Sequence, residues 1–277
     1  MKEVTIIIPV HEYNSTVEEL LSQALLSVTE CRNEFKGGYL PVVIVAPQSL
    51  DSSLNEENKI LSAITDLRIV WKNDGPTDFC SMINFAVDNI DTDYFSILEY
   101  DDTYRAKWFR LADEYSYGNE SISIFLPINA VHTNRQNWQF GNEFGLSNTF
   151  ITDDVDDTDD VGIINFKRVE NCSVFNLTGA IFNRNDFIKV GKYKPSIKVA
   201  FNYELLLRLT NKGLKCMVVP KEGYVHEVGR EGSLTDTYNK TLKPDEINKW
   251  FELAYREYVY DSDRNKNIVN VDEEELK

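Results

Sequence analysis

Three carboxylates arrive within four residues at Glu99-Tyr100-Asp101-Asp102, directly after the run Tyr94-Phe95-Ser96-Ile97-Leu98. Carboxylates this crowded repel one another unless a cation neutralises them, and Mg²⁺ and Mn²⁺ prefer oxygen ligands that they share with substrate phosphates. The five residues ahead of the acids read as a buried strand. A parallel sheet would then present the acids at its carboxyl edge, where ligands bind. A second reading makes Asp101-Asp102 the cap of a helix announced by Trp108, Phe109, Leu111 and Ala112.

The elements that must position this group alternate. Residues 4–10 form an apolar strand, and residues 17–28 carry apolar side chains at helical spacing, with Ser15 or Thr16 as the cap. Strands follow at 42–45 and 67–71, helices at 56–64 and 79–90, and then the strand that ends in the acids. Strand–helix repetition with short loops predicts a parallel sheet covered by helices, with the strand-end loops along one edge. Beyond residue 102 the pattern predicts strands at 121–129, 173–183 and 214–219. Helices are expected at 203–211, ended by Gly213, and at 244–260, opened by Pro244 and striped by Ile247, Trp250, Phe251, Ala254 and Tyr258. Residues 132–162 read as a long polar loop holding Trp138, Phe140, Phe144 and Phe150, which either platform a ring or pin the loop to the core.

Composition narrows the function classes. The 277 residues are 42% hydrophobic and 27% charged, a globular balance long enough for one large domain or one domain with an appendage. The net charge of −16 argues against broad attraction to nucleic acid or anionic lipid. No run approaches the roughly 18 apolar residues of a membrane span. No signal-peptide pattern opens the chain, so a cytoplasmic setting without integral membrane association is expected. Cys31, Cys80, Cys172 and Cys216 lie far apart and suggest neither zinc nor disulfides. The acidic stretch 153–160 lacks the glycine and glutamate of a calcium loop and reads as a solvated loop; the tail after residue 271 reads as disordered.

From Val4 to Leu234 the chain resembles the inverting GT-A glycosyltransferases of family 2, through an ordered series of partial motifs. Val4-Thr5-Ile6-Ile7-Ile8-Pro9-Val10 with Asn14 resembles the first strand and its turn; Ser27 matches a serine of the first helix. Asn73-Asp74-Gly75 and Asn84 follow in place. The segment from Tyr94 to Asp102 resembles the metal-binding strand end. Gly179, Arg184 and Val190-Gly191 resemble the segment before the acceptor helix. The stretch from Phe201 to Leu209 with Gly213 resembles that helix, and His226 with Ser233-Leu234 the late histidine segment.

The resemblance implies a GT-A (Rossmann-like) mixed, mainly parallel sheet in residues 1–235. Residues 1–102 would be the nucleotide-binding half and 103–235 the acceptor half, with residues 236–277 a helical extension and tail. It implies transfer of a hexosyl or pentosyl group, with inversion, from a nucleoside diphosphate sugar. The cofactor would be Mn²⁺ or Mg²⁺, held by Asp101, Asp102 and His226. The donor site would be lined by Pro9, Asn14, Gln48, Asn73, Gly75, Asn84, Glu99 and Tyr100, with Glu99 on the ribose or a metal-bound water. The acceptor stays open among glycan, protein, lipid carrier and modified nucleobase.

Three departures stand out. Ala46-Pro47-Gln48-Ser49 replaces the family's nucleobase-reading acid, Glu99 replaces the first Asp of the metal motif, and Phe201-Asn202 replaces the pair that supplies the base. An amide such as Asn202 cannot take a proton at neutral pH. Glu204, two positions on, is rotated about 200° around the helix and spaced for an ion pair with Arg208. The candidates near the acceptor are thus Asn202, Glu204 and Asp186, with Glu143 in the loop, or an acceptor acidic enough to need little help. Two alternatives remain: a catalytically silent module that binds sugar or nucleotide, and, ranked last, a nucleotidyltransferase.

Overall fold

β1 (Val4–Pro9) is buried at every position, because its two faces feed two separate clusters of the core. Ile6 and Ile8 pack on one side with Leu21, Leu25 and Phe109, while Ile7 packs on the other with Ile83, Phe182 and Leu206. A strand covered on both faces reads as an unbroken apolar run. After β1 come α1 (Ser15–Glu34), β2 (Val42–Pro47), α2 (Lys59–Ser62), β3 (Leu67–Lys72), α3 (Phe79–Asp88) and β4 (Tyr94–Ile97). The chain continues as β5 (Thr103–Tyr104), α4 (Trp108–Ser116), β6 (Ile122–Thr133), β7 (Leu146–Ser147), β8 (Ile163–Ile164), α5 (Phe166–Asn171) and β9 (Ile181–Asn183). It closes with α6 (Arg184–Lys189), α7 (Phe201–Asn211), β10 (Lys215–Val228), α8 (Leu234–Thr241) and α9 (Pro244–Tyr258). The structure is a computed structural model that describes residues 1–54, 59–62, 64–119, 121–133, 146–147, 162–171, 175–230 and 233–258.

One sheet runs in the order β3-β2-β1-β4-β9-β6-β10-β5, with β7 on β6 and β8 on β10. β1 pairs in parallel with β2 and β4, and β2 with β3. β9 enters antiparallel between β4 and β6, so residues 1–102 and 103–235 share this sheet. The mixed, mostly parallel sheet covered by helices is the expected architecture. Among the described residues no helix is long and apolar enough to cross a membrane.

Several expectations change. Asn14, not Ser15 or Thr16, caps α1: its side chain accepts from the backbone N–H of Thr16 and Val17, both at 3.0 Å. Asp101-Asp102 do not cap α4, which starts at Trp108 behind Lys107. The strand expected at 173–183 contracts to β9. The one expected at 214–219 extends to Val228 across Pro220 and Gly223, with register shifts on either side of Glu222 that accommodate them. Trp138, Phe140, Phe144, Phe150, Glu143, Cys172, the acidic stretch 153–160 and the tail lie outside the described residues.

Candidate active site

The strand register brings the acids to a histidine. Leu98 N–H still donates to Ile7 C=O at 2.9 Å, and the chain then turns, with Asp102 N–H donating to Glu99 C=O at 3.0 Å. β5 follows at once, anchored where Tyr104 N–H donates to the Ser27 hydroxyl at 3.1 Å. β5 runs antiparallel to β10, with Thr103 opposite Val225 and Tyr104 opposite Tyr224. One position further along this register sets Asp102 beside His226. Behind them the buried Tyr224 accepts from Glu99 N–H at 3.2 Å, which ties the start of the turn to β10 as well.

Asp102 is almost fully buried and engages both sides of its carboxylate: Oδ2 lies 3.0 Å from His226 Nδ1, and Oδ1 accepts from Glu227 N–H at 2.8 Å. Glu99, Asp102 and His226 each offer a ligating atom, all within 4.8 Å of one another. Burial, then the Asp102 charge, push Glu99 up to about 8, with His226 and Arg230 pulling the other way. Burial works against charge on His226, yet Asp102, Glu99 and Asp101 raise it to about 9. Both shifts mean that protons occupy the place between these acids that a cation could take instead. Two carboxylates and one imidazole fit Mn²⁺, and less well Mg²⁺, which favours an all-oxygen shell. Asp101 is placed differently: Arg230 Nε donates to its Oδ2 at 2.6 Å.

Two cavities meet at Glu99 and Asp101. The smaller, about 350 Å³, is walled by His226, Glu227, Asn202 and the aromatic rings of Phe79, Tyr193 and Phe201. The larger, about 630 Å³, is walled by Pro9, His11, Tyr100, Lys198 and Arg230. Tyr238 of α8 borders both.

No protein-family model and no curated protein sequence matches the chain. Solved structures do. S. aureus TarS 1–349 in complex with UDP-GlcNAc superposes with a TM-score of 0.60 at 12% identity, over 92% of this chain and 65% of that one. The mannosyltransferase PcManGT from Pyrobaculum calidifontis, in complex with GDP-Man and Mn²⁺, gives 0.61 at 15% identity, over 91% and 64%. The chain thus spans slightly less than two thirds of the length of each. The fold is GT-A-like, matching these structures.

Within the GT-A-like frame the other expected residues separate into two groups. Pro9, Glu99, Tyr100, Asp101, His226 and Asn202 line the cavities. Asn84 lies behind them and holds Tyr193 through both backbone groups, at 2.8 and 3.0 Å; the Tyr193 hydroxyl then donates to Asn202 Oδ1 at 3.0 Å. Asn14 is spent on its helix cap, Gln48 donates to Asp51 at 3.2 Å, and Asn73 and Gly75 are exposed; none of these four lines either cavity. Asp186 accepts from the Ser123 hydroxyl at 2.6 Å and lines neither cavity. Glu204 is fully buried in α7, bound by Arg208, Lys194 and Tyr258. Arg230 and Glu227 are the residues that motif reasoning passes over. Their one sequence signal is position, four residues after His226 for Arg230 and immediately after it for Glu227.

Proposed function

We propose that this chain is a metal-dependent glycosyltransferase that moves a sugar, with inversion, from a nucleoside diphosphate sugar to an acceptor hydroxyl. The observation that carries this reading is the convergence of Glu99, Asp102 and His226 at the carboxyl edge of a GT-A-like sheet. Neighbours of that fold hold UDP-GlcNAc, or GDP-Man with Mn²⁺. A divalent cation held by these three residues would offset the charge of the departing diphosphate. The larger cavity takes the nucleotide, with Arg230 and Lys198 toward its phosphates. The smaller cavity, lined by Asn202, Tyr193 and Glu227, which the larger does not share, takes the acceptor.

The base is assigned by what is left over. Among the described carboxylates that line the smaller cavity, Glu99 belongs to the cation set and Asp101 to Arg230. Glu227 remains, oriented by His132 Nδ1 at 3.0 Å, and would take the acceptor's proton while Asn202 positions the hydroxyl. Incubation with Mn²⁺ and a panel of UDP- and GDP-sugars is the test, with release of free UDP or GDP as the readout. Asn202 favours a second reading, a silent module; that reading predicts saturable binding of the nucleotide sugar without release under any acceptor. Absence of both binding and release would defeat the proposal.

A further inference from the structure

Arg230 lies two residues past the end of β10, after Gly229 turns the chain at φ +77°. Its guanidinium does three things at once. Nε donates to Asp101 Oδ2 at 2.6 Å, Nη2 donates to the Tyr100 hydroxyl at 3.0 Å, and the guanidinium carbon lies 5.2 Å from the centre of the Tyr100 ring. Arg230 therefore grips two consecutive residues of the acidic turn from the side of the larger cavity. Its side chain keeps 24% exposure and lines that cavity.

Charge and position set what this contact can do. Among the described residues, the only lysine and arginine side chains that wall either cavity are Lys198 and Arg230, and both belong to the larger one. A guanidinium is a planar fork that takes phosphate oxygens two at a time as readily as it takes a carboxylate. With Arg230 on Asp101, that carboxylate is neutralised from within and the cation set is Glu99, Asp102 and His226. The pair stands in the wall of the larger cavity, with the guanidinium its more exposed partner and the Asp101 carboxylate nearly buried.

We propose that Arg230 is the chain's own counter-ion for Asp101 and trades that carboxylate for the donor's diphosphate when the nucleotide binds. This deepens, and rests on, the glycosyltransferase reading. Diphosphate draws Arg230 away; Asp101 is then released toward the cation, and the two ligands strengthen each other through one side chain. Such coupling is reciprocal: a cation that competes for Asp101 equally frees Arg230 for phosphate.

The test is calorimetric and needs no turnover. Mn²⁺ alone, and UDP or GDP with and without Mn²⁺, are titrated into the full chain, into Arg230→Gln and into Arg230→Lys. In Arg230→Gln, Mn²⁺ alone should bind on the order of tenfold tighter, while UDP or GDP in the presence of Mn²⁺ should bind on the order of tenfold weaker. Arg230→Lys keeps the charge without the fork and should restore weak Mn²⁺ binding but only part of the nucleotide affinity. Unchanged nucleotide affinity in Arg230→Gln would reduce Arg230 to a clip on Asp101, and unchanged Mn²⁺ affinity would reduce it to a phosphate contact; either overturns the exchange. If the unmodified chain binds neither UDP nor GDP with Mn²⁺, the donor reading itself fails and takes this inference with it.

Discussion

Glu204 and Arg208 form a two-point ion pair inside the protein, one helical turn apart on α7, with Nε to Oε1 at 3.0 Å and NH2 to Oε2 at 2.8 Å. Lys194 Nζ reaches the same carboxylate at 2.9 Å, and the Tyr258 hydroxyl donates to it from α9. The spacing of Glu204 to Arg208 announces the pair, but its complete burial follows only from α9 lying over it. Glu204→Ala would leave Arg208 as an unpaired buried charge and should cost about 3–5 kcal/mol of stability, measured by urea unfolding. Loss of turnover in Glu204→Gln at unchanged stability would instead return Glu204 to the role of base.

Proton linkage gives a second prediction. Burial and Asp102 raise Glu99 to about 8; at His226 burial opposes the charge, and Asp102, Glu99 and Asp101 together raise it to about 9. Both groups hold protons more tightly folded than unfolded. Their contribution to stability is therefore complete below the ordinary values of 4.5 and 6.5 and is lost as pH rises through about 8 and 9. A cation needs Glu99 ionised and His226 neutral, so it competes with two protons. The rise in melting temperature produced by Mn²⁺ should be small at pH 6 and grow steadily to pH 8.5. The reverse trend would remove Glu99 and His226 from the ligand set.

Gly179 shapes the site from a distance. It adopts φ +71°, and a Cβ there would lie 2.3 Å from the Tyr224 ring, whose hydroxyl accepts from Glu99 N–H. Trp108 Nε1 also donates to Gly179 C=O at 2.9 Å, which prevents the segment from backing away. Gly179→Ala should cost about 2–5 kcal/mol from overpacking and the left-handed backbone. It should also weaken Mn²⁺ binding by displacing Tyr224 and with it Glu99. Calorimetry of the folded variant that shows full Mn²⁺ affinity would break this connection.

Proton transfer is separable from donor binding. Glu227→Gln should slow sugar transfer by roughly 10²–10⁴-fold while leaving the affinity for UDP or GDP with Mn²⁺ intact. Asn202→Asp, which places a carboxylate beside the Tyr193 hydroxyl in the same cavity, should restore part of that loss. If Glu227→Gln transfers sugar normally, the base lies elsewhere.

The first half of the fold is legible because β1, β2 and β3 are short apolar or largely apolar runs and α1 carries a clear apolar face. β10 reads only as far as Val219, since Pro220-Lys221-Glu222-Gly223 breaks the pattern and the compensating shifts are visible only against β6. β9 has three residues and therefore no periodicity to detect. The acidic turn is legible as a place where a cation would be wanted. The partner of Asp102 is 124 residues away, and its identity depends on the register of β5 on β10, which local patterning does not encode. Arg230 is harder still: a single cation in a polar segment looks like any solvated side chain.

The position of β9 bears on how the chain can be assembled. β4 and β6 are both complete by residue 133, yet the strand that joins them is residues 181–183. A nascent chain released before that point leaves the β9-facing edges of β4 and β6, and the β10-facing edge of β6, without their partners and open to pairing with another molecule. Fragments ending between residues 133 and 181 should accordingly aggregate, and separate expression of the two halves should yield soluble protein only when both are made together. Three residues are the seam along which this protein becomes one piece.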